Sequence, residues 1–275
     1  MIVILCLLSI SLTGCMNNKA NGNLEEKISS EIDYIDAELI KIISKLNNIS
    51  FSNYIVETKE VDIGTELSTG DDSNTKQEEP NRSSSNSKIN VTEMVSQADI
   101  DIDTKSIDWK DISFKAEIIS DSWNTIVLDL YKSNVKPENI NNFSNLINQL
   151  LISVENQDKS SALTATASLY GIIPKFISDY SNDAGRLFIT TSKWHILNAY
   201  VGATIGNWTL SNEELVLAEE SFANVMKNEE YMSKKEHNIN RAYISIKELQ
   251  NTNKYANINV FLLKYKSVIQ ELANI

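Results

Sequence analysis

The stretch Leu24-Glu25-Glu26-Lys27-Ile28-Ser29-Ser30-Glu31-Ile32-Asp33-Tyr34-Ile35-Asp36-Ala37-Glu38-Leu39-Ile40-Lys41-Ile42-Ile43-Ser44-Lys45-Leu46-Asn47-Asn48-Ile49 carries apolar residues at Ile28, Ile32, Ile35, Leu39, Ile42, Leu46 and Ile49, at spacings of 4, 3, 4, 3, 4 and 3. A strand repeats every two residues, whereas this period of 3.5 lays one narrow apolar stripe along a helix. Two arrangements bury such a stripe. As a coiled-coil seam, Ile32, Leu39 and Leu46 take the a positions and Ile28, Ile35, Ile42 and Ile49 the d positions. As an amphipathic helix, the same stripe packs on the chain's own domain. The spacing leaves both open, and with them the possible self-association of residues 24–50.

Helical periodicity returns at about Ile107 and holds to the C-terminus, predicting helices over 107–133, 138–156, 160–180, 184–207, 211–228, 235–252 and 257–273. Pro137 suits a first helical turn, where no backbone donor is needed. Ser211-Asn212-Glu213-Glu214 reads as a capping box, with Ser211 as N-cap and Glu214 reaching back to it. Short connections make consecutive helices neighbours. The predicted fold class is all-α: an antiparallel helical bundle or a short stack of helical hairpins, with about seven helices in residues 106–275.

Between these parts, residues 57–105 hold twelve acids against five bases and a Ser- and Asn-rich core, Asp71-Asp72-Ser73-Asn74 through Asn81-Arg82-Ser83-Ser84-Ser85-Asn86-Ser87. So polar a segment buries too little apolar area to offset its chain entropy, and it reads as a disordered acidic linker. Most of the chain's net charge of −12 belongs to it.

Upstream of the first stripe, the uncharged apolar run Met1 to Leu12 is too short to span a bilayer as a helix. It ends in Leu12-Thr13-Gly14-Cys15 and passes at once into polar Met16-Asn17-Asn18-Lys19. The arrangement resembles the signal of bacterial lipoproteins, whose lipobox reads Leu, a small residue, Gly or Ala, then Cys. The resemblance implies cleavage between Gly14 and Cys15, with Cys15 carrying a diacylglycerol on its sulfur and anchoring the protein to the extracytoplasmic face of the cell membrane. Two acyl chains hold a protein on a bilayer where one binds only marginally. The basic segment that opens such signals is lacking, so a start further upstream is expected. The 32 Asn, with abundant Ile and Lys, fit an A+T-rich genome and a Gram-positive bacterium. Residues 1–14 then form the signal peptide, 15–23 a polar tether, 24–56 the coiled-coil-like helix, 57–105 the linker and 106–275 the helical domain.

Composition narrows the function further. With 37 acidic against 25 basic residues, the chain lacks the basic face that phosphate backbones require, so no nucleic-acid partner is expected. Two Cys and two His leave little from which to build a metal centre, and no cofactor is expected. His195 and His237 fall on different predicted helices, and no nucleophile elbow, phosphate loop or dinucleotide fingerprint is present. A non-enzymatic role is expected.

Aromatic residues supply the candidate surface. Gly171-Ile172-Ile173-Pro174 interrupts the predicted helix 160–180, because proline removes a donor and clashes one turn back, at Tyr170. A kink flanked by Tyr170, Pro174, Phe176 and Tyr180 is a place for a ligand pocket. Trp194 and Trp208, 14 residues apart, share a stripe if their helix is continuous, and form either helix–helix core or an aromatic contact face. The reading is a lipid-anchored binding or scaffolding protein for a protein partner at the membrane or cell wall. The alternative is a receptor for a small ligand or metal at the kinked helix.

Overall fold

The computed structural model describes residues 16–47 and 106–275. Its elements are α1 (Met16–Leu46), α2 (Trp109–Lys132), α3 (Pro137–Glu155), α4 (Lys159–Tyr170), α5 (Ile173–Tyr180), α6 (Ala184–Thr204), α7 (Trp208–Met226), α8 (Glu229–Asn253) and α9 (Ile258–Leu272), with no strand among the described residues. The fold is all-α. The signal residues, including Gly14 and Cys15, and the linker 57–105 lie outside the described residues.

Helix starts follow one local rule. Asp108, Asp158, Asp183, Asn207, Asn228 and Asn257 each stand just before a helix and accept a hydrogen bond from a backbone N–H of its first turn. A short side chain with a carbonyl or carboxylate oxygen satisfies a donor that the first turn leaves without an intrahelical partner. Helix α3 opens instead on Pro137.

The first stripe is covered by its own chain. Ile28, Ile32, Ile35, Leu39, Ile42 and Leu46 are all fully buried, and α1 packs against α2, α4 and α5 within one compact unit. No part of the described seam remains exposed for a second copy. The helix also starts earlier than its stripe, at Met16, through residues expected to be a polar tether. Once the packed turns have met the nucleation cost, extension adds one bond per residue ordered.

Charges hold α1 at both flanks. Lys27 reaches Asp129 of α2 at 2.6 Å, Lys45 reaches Asp111 at 2.5 Å, and Glu38 takes Lys115 at 3.3 Å. On the other flank Asp33 meets Arg186 of α6 at 2.6 Å and Asp36 meets Lys193 at 3.1 Å. Partners 66 to 157 residues away are invisible to a local reading of the sequence.

Three boundaries depart from expectation. The helix predicted over 160–180 is two helices, α4 and α5, joined through Gly171 and Ile172, because Pro174 in the first turn of α5 cannot continue the ladder of α4. Helix α6 ends at Thr204, where the Asn207 N–H bonds the Gly202 carbonyl and the Gly206 N–H bonds that of Ala203. This is a Schellman ending, and Gly206 at φ 76° supplies its left-handed residue. Consequently α7 begins at Trp208 under the Asn207 cap. Ser211 is then inside the helix and fully buried with no partner for its Oγ, so it is not an N-cap. Glu214 bonds His195 Nδ1 at 2.7 Å instead of closing a box. Finally, α8 starts at Glu229 and bends at Lys235, the residue where its start was expected.

Candidate functional site

The break between α4 and α5 opens a hollow of about 510 Å³ on the surface shared with α3 and α6. Each wall is a helical stripe. Asn142, Asn145 and Gln149 stand at i, i+3 and i+7 on α3, and Ser168 and Lys175 flank the break. Trp194 and Asn198, four apart, project from α6. Leu146 and Ile172 make the apolar floor.

The hollow depends on Gly171. A Cβ there would stand 2.6 Å from Nε1 and 2.8 Å from Cε2 of Trp194, inside the indole ring's own contact distance. Only glycine lets α6 bring that ring against the turn. Trp194 is half-buried, with part of the indole packed on the core and part lining the hollow.

The polar lining is uncommitted. Among the described residues, the side chains of Asn142, Asn145, Gln149 and Asn198 have no hydrogen-bond partner in the protein. Each amide offers two donors and an acceptor. A second hollow of about 420 Å³ continues along the α3–α4 groove, sharing Gln149 and Ser168 and ending near Asp158. Asp158 itself is occupied in capping α4, and its bonds from the Ser161 hydroxyl and N–H hold its carboxyl below the ordinary range.

The residues expected to form the site do not assemble as one surface. Tyr170 and Phe176 are fully buried and Pro174 is buried, so they lie behind the hollow rather than in it. Phe176 stacks on Trp123 at 5.7 Å and meets Phe143 at 5.4 Å, in an aromatic core. Burial, with the Asp36 carboxylate nearby, holds the Tyr170 phenol well above its ordinary pKa, which keeps it neutral. Tyr180 is half-buried on the α1 side, its hydroxyl 3.4 Å from Ser29 Oγ and its ring under Arg186 at 6.0 Å. Trp208 is on α7 rather than in line with Trp194, and its ring meets Phe261 edge-on at 5.9 Å. Only Trp194 of the six lines the hollow. The amide stripe on α3 carries no apolar period, and its signal in the sequence is the helical interval of 142, 145 and 149.

Elsewhere, Glu219 of α7 serves a helix contact: it accepts from Lys247 at 2.8 Å and from the Tyr243 hydroxyl at 3.1 Å, both on α8. Among the described residues, no three His, Cys, Asp or Glu side chains are grouped to hold a metal ion, and no helix is long and apolar enough to cross a membrane. In comparisons with protein families, curated proteins and solved structures, the chain matches no family model, no curated protein and no solved structure.

Proposed function

We propose that this is a non-enzymatic lipoprotein, anchored through Cys15 to the extracytoplasmic face of the membrane, whose helical domain is a binding module. The lipobox Leu12-Thr13-Gly14-Cys15 supports the anchor. One observation carries the binding role: four amides without protein partners converge with the Trp194 indole on an open hollow at the break between α4 and α5. Concave sites with an apolar floor and a few placed polar groups are where ligands bind, and about 510 Å³ lies within their usual range. Of the two readings of the sequence, protein scaffold and receptor at the helix break, this favours the receptor. We read the architecture as an antiparallel helical bundle or a short stack of helical hairpins, since α6 to α9 and α1 to α4 each pack on their neighbours in sequence and α1 also meets α4, as α6 meets α9.

Two measurements test the reading. Cys15→Ser is expected to move the protein from the membrane fraction to the medium, and an unchanged membrane fraction would refute anchoring at that residue. Cell-envelope extract added to the full chain is expected to raise its melting temperature, because a ligand of the native state stabilises it. An unmoved transition would sink the receptor.

A further inference from the structure

We propose that the hollow between α3, the α4–α5 break and α6 binds a neutral oligosaccharide, with sugar rings running along the α3–α4 groove. The inference rests on the receptor reading above and names its ligand class.

The lining chemistry selects the class. Asn142, Asn145 and Gln149 present a row of amides, opposite Ser168 and beside Asn198. A sugar hydroxyl both donates and accepts, and a carboxamide meets it with both functions at once. These groups are exposed or half-exposed and carry no charge. A charged ligand is poorly matched, since Lys175 is the lone charged side chain of the hollow and Asp158 lies at the far end of the groove. The Trp194 indole adds a flat apolar surface, which suits the C–H face of a pyranose ring while the hydroxyls at its rim meet the amides.

The shape agrees. From Asn142 to Gln149 the α3 wall runs about 10 Å, and the groove continues past Ser153 toward Asn156, so more than one ring is accommodated. An extended peptide fits less well. Its backbone seeks a strand edge, and the described residues contain no strand. Its side chains seek deep apolar pockets, whereas both hollows are open and rimmed by amides and hydroxyls. An open site binds one glycan weakly, and many copies held on one membrane facing a polymeric glycan compensate through avidity.

The test uses the full chain purified in detergent, titrated with neutral tetrasaccharides of the chitin, glucan and mannan types up to about 10 mM, the range in which weak binding is read. Tryptophan fluorescence and saturation-transfer NMR report occupancy. At least one tetrasaccharide is expected to bind saturably, and Asn145→Ala/Gln149→Ala is expected to weaken it at least about tenfold with an unchanged melting temperature, since neither side chain bonds the protein. Trp194→Phe is expected to retain part of the affinity. Two results would overturn the proposal: no saturable binding of any neutral sugar, or binding undiminished in the double variant. A melting-temperature rise with envelope extract but none with neutral sugars would refute the glycan and leave the receptor reading standing.

Discussion

Lys193 Nζ of α6 lies 3.1 Å from Asp36 Oδ2 of α1, with both side chains more than four-fifths buried. The other Asp36 oxygen has no hydrogen-bond partner, and the Asp36 carboxylate acts on the buried phenol of Tyr170. Lys193→Met therefore strands a buried carboxylate, and its expected cost is about 3 kcal/mol, read as a lower urea midpoint at unchanged m-value. Asp36→Asn/Lys193→Met removes both charges and is expected to recover part of that loss. A double variant as unstable as the single would show that the pair is not an interacting unit.

Packing of α1 makes a second prediction. Leu39 is fully buried, so Leu39→Ala removes buried methyl groups and leaves a cavity, at a cost of about 3 kcal/mol. The loss should be independent of protein concentration, since the cavity is within one chain. A loss that grows on dilution would assign the stripe to an interface between copies instead.

These two predictions mark what the sequence makes legible. Helicity was legible because a period of 3.5 excludes strands. The occupant of the seam was not, because a coiled coil and an intramolecular helix demand the same stripe, and the partners Asp129, Arg186 and Lys193 lie far along the chain. The break at Pro174 was legible as a bend, yet not as a turn that makes room for Trp194, since that contact is between α6 and Gly171. The candidate site hides for a related reason: its lining is spread over α3, α4, α5 and α6, and only the fold brings 142–149 beside 168–175 and 194–198.

Competing caps explain the misplaced start of α7, and they are separable by experiment. Asn207 Oδ1 accepts from the Leu210 N–H at 3.1 Å, so Asn207→Ala is expected to cost about 1 kcal/mol. Ser211→Ala removes a buried hydroxyl with no partner and is expected to be neutral or slightly stabilising. Thermal unfolding of the two variants decides. The reverse order would restore Ser211 as the N-cap.

Acid dependence has an assignable contributor. Hydrogen bonds from Lys27, then from Lys132, hold the Asp129 carboxyl below its ordinary value of 3.8. A carboxyl with a depressed folded-state pKa adds stability that is present above the unfolded value and lost as pH falls through the folded one. The native protein should therefore lose stability below about pH 4 more steeply than Asp129→Asn. Equal slopes for the two proteins would exclude Asp129 as a contributor.

Gly171 is where fold and candidate site meet. Because a Cβ at this position would stand 2.6 Å from the Trp194 indole nitrogen, Gly171→Ala forces the ring away from the turn. The strain is expected to cost about 1–3 kcal/mol, as overpacking does in a well-filled region. Its φ of −65° is one that alanine adopts freely, so backbone strain adds nothing and the effect isolates the clash. The displaced indole should also change its exposure, shifting the tryptophan emission maximum. Gly171→Ala/Trp194→Leu removes the ring that clashes, so stability lost in the single variant should return in part. An alanine variant as stable as the native protein, with unchanged emission, would mean that Trp194 does not rest against this turn, and the hollow would lose its aromatic wall.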